Sequence, residues 1–377
     1  KMKDQFNIYS SDSQASKVLP LSPEEFDFEA YAEYEARLNQ GCKKFWEAPS
    51  GVMVYRRMRV KEVFAEDSAD WQKSLNWQLG ALQQSMGYKA DIPNFLEPWY
   101  GIGTIASAFG FGYRWEQGQA PALDGKFEQL EHLLQADFKP VAQTAIGSHS
   151  LEMTEYFLEQ TRGRLPMSWC DVQSPLNILC NLVDSNMFFP EFYLNPEAVE
   201  QALDKITDLL IEFTKVQTRL IGPALVKPGH GFASSRFFDG FGMSDDNIVM
   251  LPPDLYNDFA VPRMVRAGRP FGGPVFHSCG NWSDKKEDIV RIDGLRMADG
   301  AFSKATDPDA NPCEGFAAAF AHTGIVLNAR IVGDLETLGQ KVKELWAPGM
   351  KLIVVTYCEN PSEQAAAYDL IHEICRE

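Results

Sequence analysis

Three side chains far apart along the chain carry the strongest chemical signal. In PVFHSCGN, residues 274–281, a short apolar run ends in His277 and Cys279 and breaks at Gly280-Asn281. Alternate residues of a strand point to the same face, so a strand here aims both side chains the same way at its C-terminal end. A second apolar run, MKLIVVTYCENP, ends in Cys358 just before a turn. Two thiolates and one imidazole, with a fourth position left over, form the ligand set of a catalytic rather than a structural zinc. The competing account makes each cysteine a small buried hydrophobe and His277 a hydrogen-bonded core histidine. The i, i+2 placement, the Gly-Asn break and a third soft ligand at another strand end favour the metal.

Such residues meet only if strand ends gather at one place. Residues 1–90 read as a helical N-terminal extension. SPEEFDFEAYAEYEARLNQG opens with the capping-box spacing of Ser22 and Glu25 and closes at Gly41, and residues 68–87 form a second amphipathic stretch. Over residues 91–377, short apolar runs alternate with helical segments. The runs are NFLEPW, RLPMSWCD, GPALVKP, DNIVML, GGPVFHSC, GLRMAD, GIVLNARI and MKLIVVTYC. The clearest helices are NPEAVEQALDKITDLLIEFTKVQTRLIG, LETLGQKVKELW and PSEQAAAYDLIHEICRE. Strands alternating with helices mean parallel βα units, and about eight strands predict an α/β fold closed into a (β/α)8 TIM barrel. An open doubly wound sheet is the rival.

In a barrel the C-terminal strand ends face the site. The polar residues there are Glu97, Asp171, Gln173, Asp245, Asp246, His277, Cys279, Asp299, Asn328, Arg330 and Cys358. Asp171 and Gln173 precede a helix start with Ser174 as cap and Pro175 in the first turn, so Asp171 either hydrogen-bonds local backbone or serves substrate as a proton donor. SDDN, residues 244–247, is a turn rich in Asx residues whose Asp246 could also orient a ligand or a metal-bound histidine. Trp99 and Tyr100, directly after the first strand run, could floor a pocket for a flat ligand, with Asn281 beside the metal pair. His230 sits in the glycine loop KPGHGF, which could close over the mouth. His149, His322 and His372 read as structural. The glycine run GIGTIASAFGFG lacks both the GxGxxG order and the Lys-Ser/Thr of a phosphate loop.

The 377 residues fit one barrel-sized domain with an extension. With 35 Lys+Arg against 52 Asp+Glu the net charge is −17, which repels nucleic acid and acidic membrane surfaces. No run approaches the ~20 apolar residues of a membrane span. The start KMKDQFNIYSSDSQ lacks the apolar core of a signal peptide, and Lys1 before Met2 suggests a trimmed terminus. Seven widely spaced cysteines read as reduced thiols of a cytoplasmic protein.

The chain from about residue 90 to 375 resembles the uroporphyrinogen decarboxylase superfamily, and within it the zinc-dependent corrinoid methyltransferases. HSCGN, the segment Cys358-Glu359-Asn360-Pro361-Ser362, DVQSPLNILCNL and SDDNIVMLPPDLYNDFAVPRM carry the likeness. The resemblance implies that His277, Cys279 and Cys358 bind zinc, and that a methyl group moves between a corrinoid on a carrier protein and a thiol, methoxy or methylamine substrate. Porphyrinogen decarboxylases carry an MRQAGR-type arginine motif near the N-terminus, and no such segment stands out here. MVRAGR, residues 264–269, lies in the wrong part of the chain. Decarboxylation without metal is the alternative, with Arg236, Arg296 and Arg330 as its candidate anion-binding groups. A non-catalytic tetrapyrrole-binding protein is the third reading.

Overall fold

The computed structural model describes residues 13–376. The Lys1–Met2 start therefore lies outside the described residues. Among those described, no helix is long and apolar enough to cross a membrane, and all seven cysteines are unpaired.

The core is a parallel sheet of six strands wrapped by helices. In chain order these are β1 (Gly51–Arg56), β2 (Phe241–Ser244), β3 (Pro274–His277), β4 (Met297–Ala301), β5 (Val326–Arg330) and β6 (Lys351–Thr356). Their order across the sheet is β1-β6-β5-β4-β3-β2, every pair parallel. Single parallel bridges, Leu96 to Met167, Met167 to Leu225 and Gln173 to Ser244, carry the remaining staves around the (β/α)8 barrel. Strands of such a sheet are covered on both faces, so apolar residues run on without polar alternation; all six residues of β6 are buried.

The two faces of each strand bury into different cores. Met53, Tyr55, Val275, Met297, Val326, Ile353, Val355 and Tyr357 fill the barrel interior. Val54, Phe276, Ala298, Leu327, Leu352 and Val354 face the helices outside. This period of two fixes what points into the mouth: His277 follows the parity of Val275, Asp299 that of Met297, and Arg330 that of Val326. Outside, α5 (Pro196–Ile221) buries Val199, Leu203, Ile206 and Leu210 at helical spacing; each fully buried aliphatic side chain contributes about 1.5–3 kcal/mol. The remaining long helices are α1 (Phe28–Glu47), α2 (Trp71–Ser85), α3 (Ala145–Thr161), α4 (Pro175–Leu182), α6 (Leu335–Leu345) and α7 (Pro361–Ile374).

Several expectations change in detail. The N-terminal region is not helices alone, because β1 lies within it and pairs with β6, so the chain enters the sheet well before residue 91. Its GVMVYR is short and runs straight into arginines, which hides the strand pattern. DNIVML is not a strand: residues Asp246–Met250 form a 3-10 turn that buries Ile248, and the strand is the preceding FGMS. The helix expected from Ser22 begins at Phe28 with Asp27 as its cap and runs through Gly41 to Glu47. Glu25 nevertheless makes half of the capping box, accepting the Ser22 N–H at 2.9 Å.

Candidate functional site

At the C-terminal ends of the strands lies a cavity of about 480 Å³, lined among others by Arg57, Arg59, Trp99, Asp171, His230, His277, Cys279 and Arg330. His277 ends β3 and Cys279 follows two residues later, as the sequence spacing requires. His277 Nε2 and Cys279 Sγ are 3.3 Å apart. Asp246, at the start of the 3-10 turn after β2, accepts the Cys279 backbone N–H at 2.7 Å and lies 3.8 Å from His277 Nε2. Among the described residues, these three form the one group of potential metal donors, all within 4.8 Å of one another.

The histidine is aimed from behind. Its Nδ1 meets Asp299 Oδ2 at 2.5 Å, and Asp299 also accepts Arg330 Nε at 3.0 Å and Asn328 Nδ2 at 2.5 Å. Burial alone would raise the Asp299 carboxyl, but Arg330 and His277 outweigh it and hold the group down at about 2. Burial would likewise lower His277, yet the neighbouring Cys279 and Asp299 lift it to about 10. A carboxylate on Nδ1 that leaves Nε2 facing a thiol is the outer arrangement seen around zinc-binding histidines. Donors bound tetrahedrally to one zinc stand about 3.5 Å apart for a nitrogen and a sulfur, close to the His277–Cys279 separation. The donor set thus fits a zinc ion.

Cys358 is placed differently. Tyr357 belongs to the barrel interior, so the next residue turns outward, where Cys358 packs against the outer core and lines a second cavity of about 640 Å³ with Asp334, Glu359 and Glu363. Its carbonyl accepts Arg56 Nε at 2.8 Å, and the Glu359 carbonyl accepts the Tyr88 hydroxyl at 2.7 Å.

The other sequence candidates divide. Asp171 lines the main cavity and accepts Trp99 Nε1 at 3.1 Å. Gln173 is buried behind it, donating to Asp171 at 3.2 Å and accepting from Asn177 at 3.0 Å; Ser174 caps α4 as its sequence indicates. Trp99 is part of the cavity wall, whereas Tyr100 stacks on His149 with centroids 3.7 Å apart. Asn281 accepts from Ser283 in its own turn. Of the arginines, Arg330 reaches the cavity, Arg236 pairs with Glu35 at 2.6 Å and Arg296 lies over Trp46. In MVRAGR, Arg266 pairs with Asp204 and Asp208 on α5.

Two cavity arginines escaped the sequence reading. Arg57 and Arg59 follow β1, and Arg57 lies 3.6 Å from Glu97. Arg59 has no carboxylate partner among the described residues, and its Nη1 is shielded from solvent without a hydrogen-bond partner. Burial, with Arg57 beside it, lowers its guanidinium to about 10. The signal was the run YRRMR, visible once β1 is recognised as a strand whose end opens into the mouth.

The uroporphyrinogen decarboxylase (URO-D) family model matches residues 98–302. Among solved structures, a methyltransferase from Methanosarcina mazei is similar at 14% identity and a TM-score of 0.59, over 90% of this chain and 98% of that one, a likeness of fold. No curated protein matches the chain.

Proposed function

The chain belongs to the uroporphyrinogen decarboxylase family, and from that premise we propose that it is a zinc-dependent methyltransferase, moving a methyl group between a corrinoid on a carrier protein and a small thiol, methoxy or methylamine compound. The observation that carries this reading is the convergence of Asp246 with the cavity residues His277 and Cys279, with Asp299 behind the imidazole. A solved structure of the same fold, from Methanosarcina mazei, is described as a methyltransferase, which supports the choice of reaction.

His277 and Cys279 anchor the metal in this reading. Asp246 is the third donor as the chain stands; Cys358 would replace it as a second thiolate only if the turn after Tyr357 re-aimed and gave up the Arg56 hydrogen bond to its carbonyl. A zinc held by these residues would supply Lewis-acid chemistry, keeping a thiol ionised near neutral pH or polarising the oxygen or nitrogen that carries a methyl group. The protein's own contribution is orientation. Asp299 and Arg330 lock the His277 tautomer, Trp99 walls the cavity with a flat apolar face, and Arg59, the cavity arginine with no carboxylate partner among the described residues, suits an anionic substrate group.

Free methylcobalamin with 2-mercaptoethanol tests the reaction directly. Zinc-loaded protein is expected to demethylate the cobalamin, and chelator-treated protein is not. Equal rates with and without zinc contradict the proposal. One observation favours a second reading, decarboxylation without metal: Arg59 stands beside Arg57 with no carboxylate partner among the described residues. Release of CO2 from a porphyrinogen by metal-free protein would establish that reading instead.

A further inference from the structure

Opposite the metal donors, the same cavity holds a second group of titratable side chains that the metal site does not use. His230 sits in a loop between Gly229 and Gly231, whose φ angles of +115° and +80° belong to glycine. These turns bring the imidazole back over the barrel mouth. Its Nδ1 lies 3.0 Å from Glu97 Oε1, off the line of a good hydrogen bond. Its Nε2 lies 3.5 Å from Asp171 Oδ2, beyond the usual range.

Both carboxylates are fixed by other partners. Glu97 accepts the Gly231 N–H at 3.1 Å and faces Arg57 at 3.6 Å, while Asp171 is held by Trp99 Nε1 and Gln173. The remaining neighbour, Phe64, packs its ring on His230 with centroids 5.5 Å apart and carries no charge. The ring is therefore oriented by groups that do not consume its Nε2. His230 lines the same cavity as His277 and Cys279. Buried polar groups normally hold at least one hydrogen bond, and the shielded Nδ1 of His230 has none among the described residues.

We propose that His230 is the proton carrier of this site, a catalytic residue touching the substrate heteroatom through Nε2. The role rests on the methyl-transfer reading above. When a methoxy or methylamine compound is the donor, the carbon–heteroatom bond breaks with its electron pair left on the heteroatom, which takes the Nε2 proton. The methyl group passes to the electron pair of the carrier protein's reduced corrinoid, whose cobalt is formally oxidised by two electrons. When a thiol is the acceptor, neutral Nε2 takes the S–H proton and the sulfur pair forms the new S–C bond. The corrinoid then keeps the pair of the broken bond, and its cobalt is reduced by two. Asp171 and Glu97 steady whichever protonated form results.

The test uses zinc-loaded protein, free methylcobalamin and 2-mercaptoethanol, with His230→Ala and His230→Gln. Loss of a proton-transfer group predicts a fall in kcat of about 100-fold or more, with little change in KM. Added imidazole should restore much of the rate in His230→Ala, where it has room, and none in His230→Gln. A second readout needs no corrinoid: calorimetry of 2-mercaptoethanol binding in buffers of different ionisation enthalpy should show more protons released to bulk by His230→Gln than by the wild type. If His230→Ala does not fold, the His230→Gln rate and proton count decide. A kcat within about threefold of wild type in the variants, no imidazole rescue in folded His230→Ala, or equal proton release overturns the role while leaving methyl transfer standing. A wild type that moves no methyl group overturns the proposed reaction, and this role with it.

Discussion

Replacing Asp299 with asparagine attacks the point where three side chains depend on one charge. Asp299 is 1% exposed; it receives His277 Nδ1 and Arg330 Nε on one oxygen and Asn328 on the other. An amide keeps the shape but offers one acceptor instead of two, so its NH2 must face either Asn328 or the Arg330–His277 pair, donor against donor. Arg330 would then be a buried guanidinium without its carboxylate, and removing one partner of a buried ion pair costs about 3–5 kcal/mol. The depression of Asp299 from 3.8 to about 2 corresponds to about 2–3 kcal/mol by linkage, so the two routes agree near 3 kcal/mol. Against a typical total of about 5–15 kcal/mol, that loss is readily measured. Urea unfolding of chelator-treated Asp299→Asn should show it in full. Arg330→Met added to Asp299→Asn should recover part of it, since the stranded cation is gone. Zinc affinity, measured against a competing chelator, should drop about 10–100-fold because the imidazole is no longer held in one tautomer. A loss under about 1 kcal/mol together with unchanged zinc affinity would refute this account of how His277 is aimed.

Glu97 gives an acid-range signature. Burial would raise its carboxyl, but Arg57 and His230 outweigh it and bring the pKa from 4.5 to about 2. Its stabilisation is therefore complete above about pH 4.5 and drains away as pH falls toward 2, and Glu97→Gln should flatten that part of the stability–pH curve. Gly242→Ala would drive a Cβ to 2.3 Å from the Phe232 ring, the ring set edge-on to His277. It should cost about 1–3 kcal/mol in urea unfolding. Arg59→Met removes a cation that has no carboxylate partner among the described residues. Thermal melts should show a variant at least as stable as the parent.

The sequence revealed the barrel and half of the site because both depend on local pattern. His277 and Cys279 are two residues apart on one strand, so their convergence follows from the pleat. The α4 cap at Ser174 follows from chain-local chemistry in the same way. Asp246 was legible as a turn residue able to orient a ligand or a metal-bound histidine, but its place beside Cys279 depends on how β2 pairs with β3. Cys358 shows the limit most clearly. That it ends a buried strand could be read directly, but which face it takes depends on whether the alternation of β6 continues through Tyr357, and a shift of one residue inverts the answer. Arg57 and Arg59 stayed hidden behind the missed strand β1. His230 could be read only as part of a loop able to reach the mouth, since Glu97 and Asp171, which flank it, are 133 and 59 residues away in sequence.

The central claim is that His277 and Cys279 bind zinc, and metal analysis joined to X-ray absorption of purified protein tests it most directly. The wild type should hold about one zinc per chain, with a sulfur scatterer at about 2.3 Å and a nitrogen at about 2.0 Å, and His277→Ala and Cys279→Ala should lose the metal. A second sulfur scatterer would place Cys358, not Asp246, in the third position. Protein without zinc, or variants that retain it in full, would contradict the claim itself.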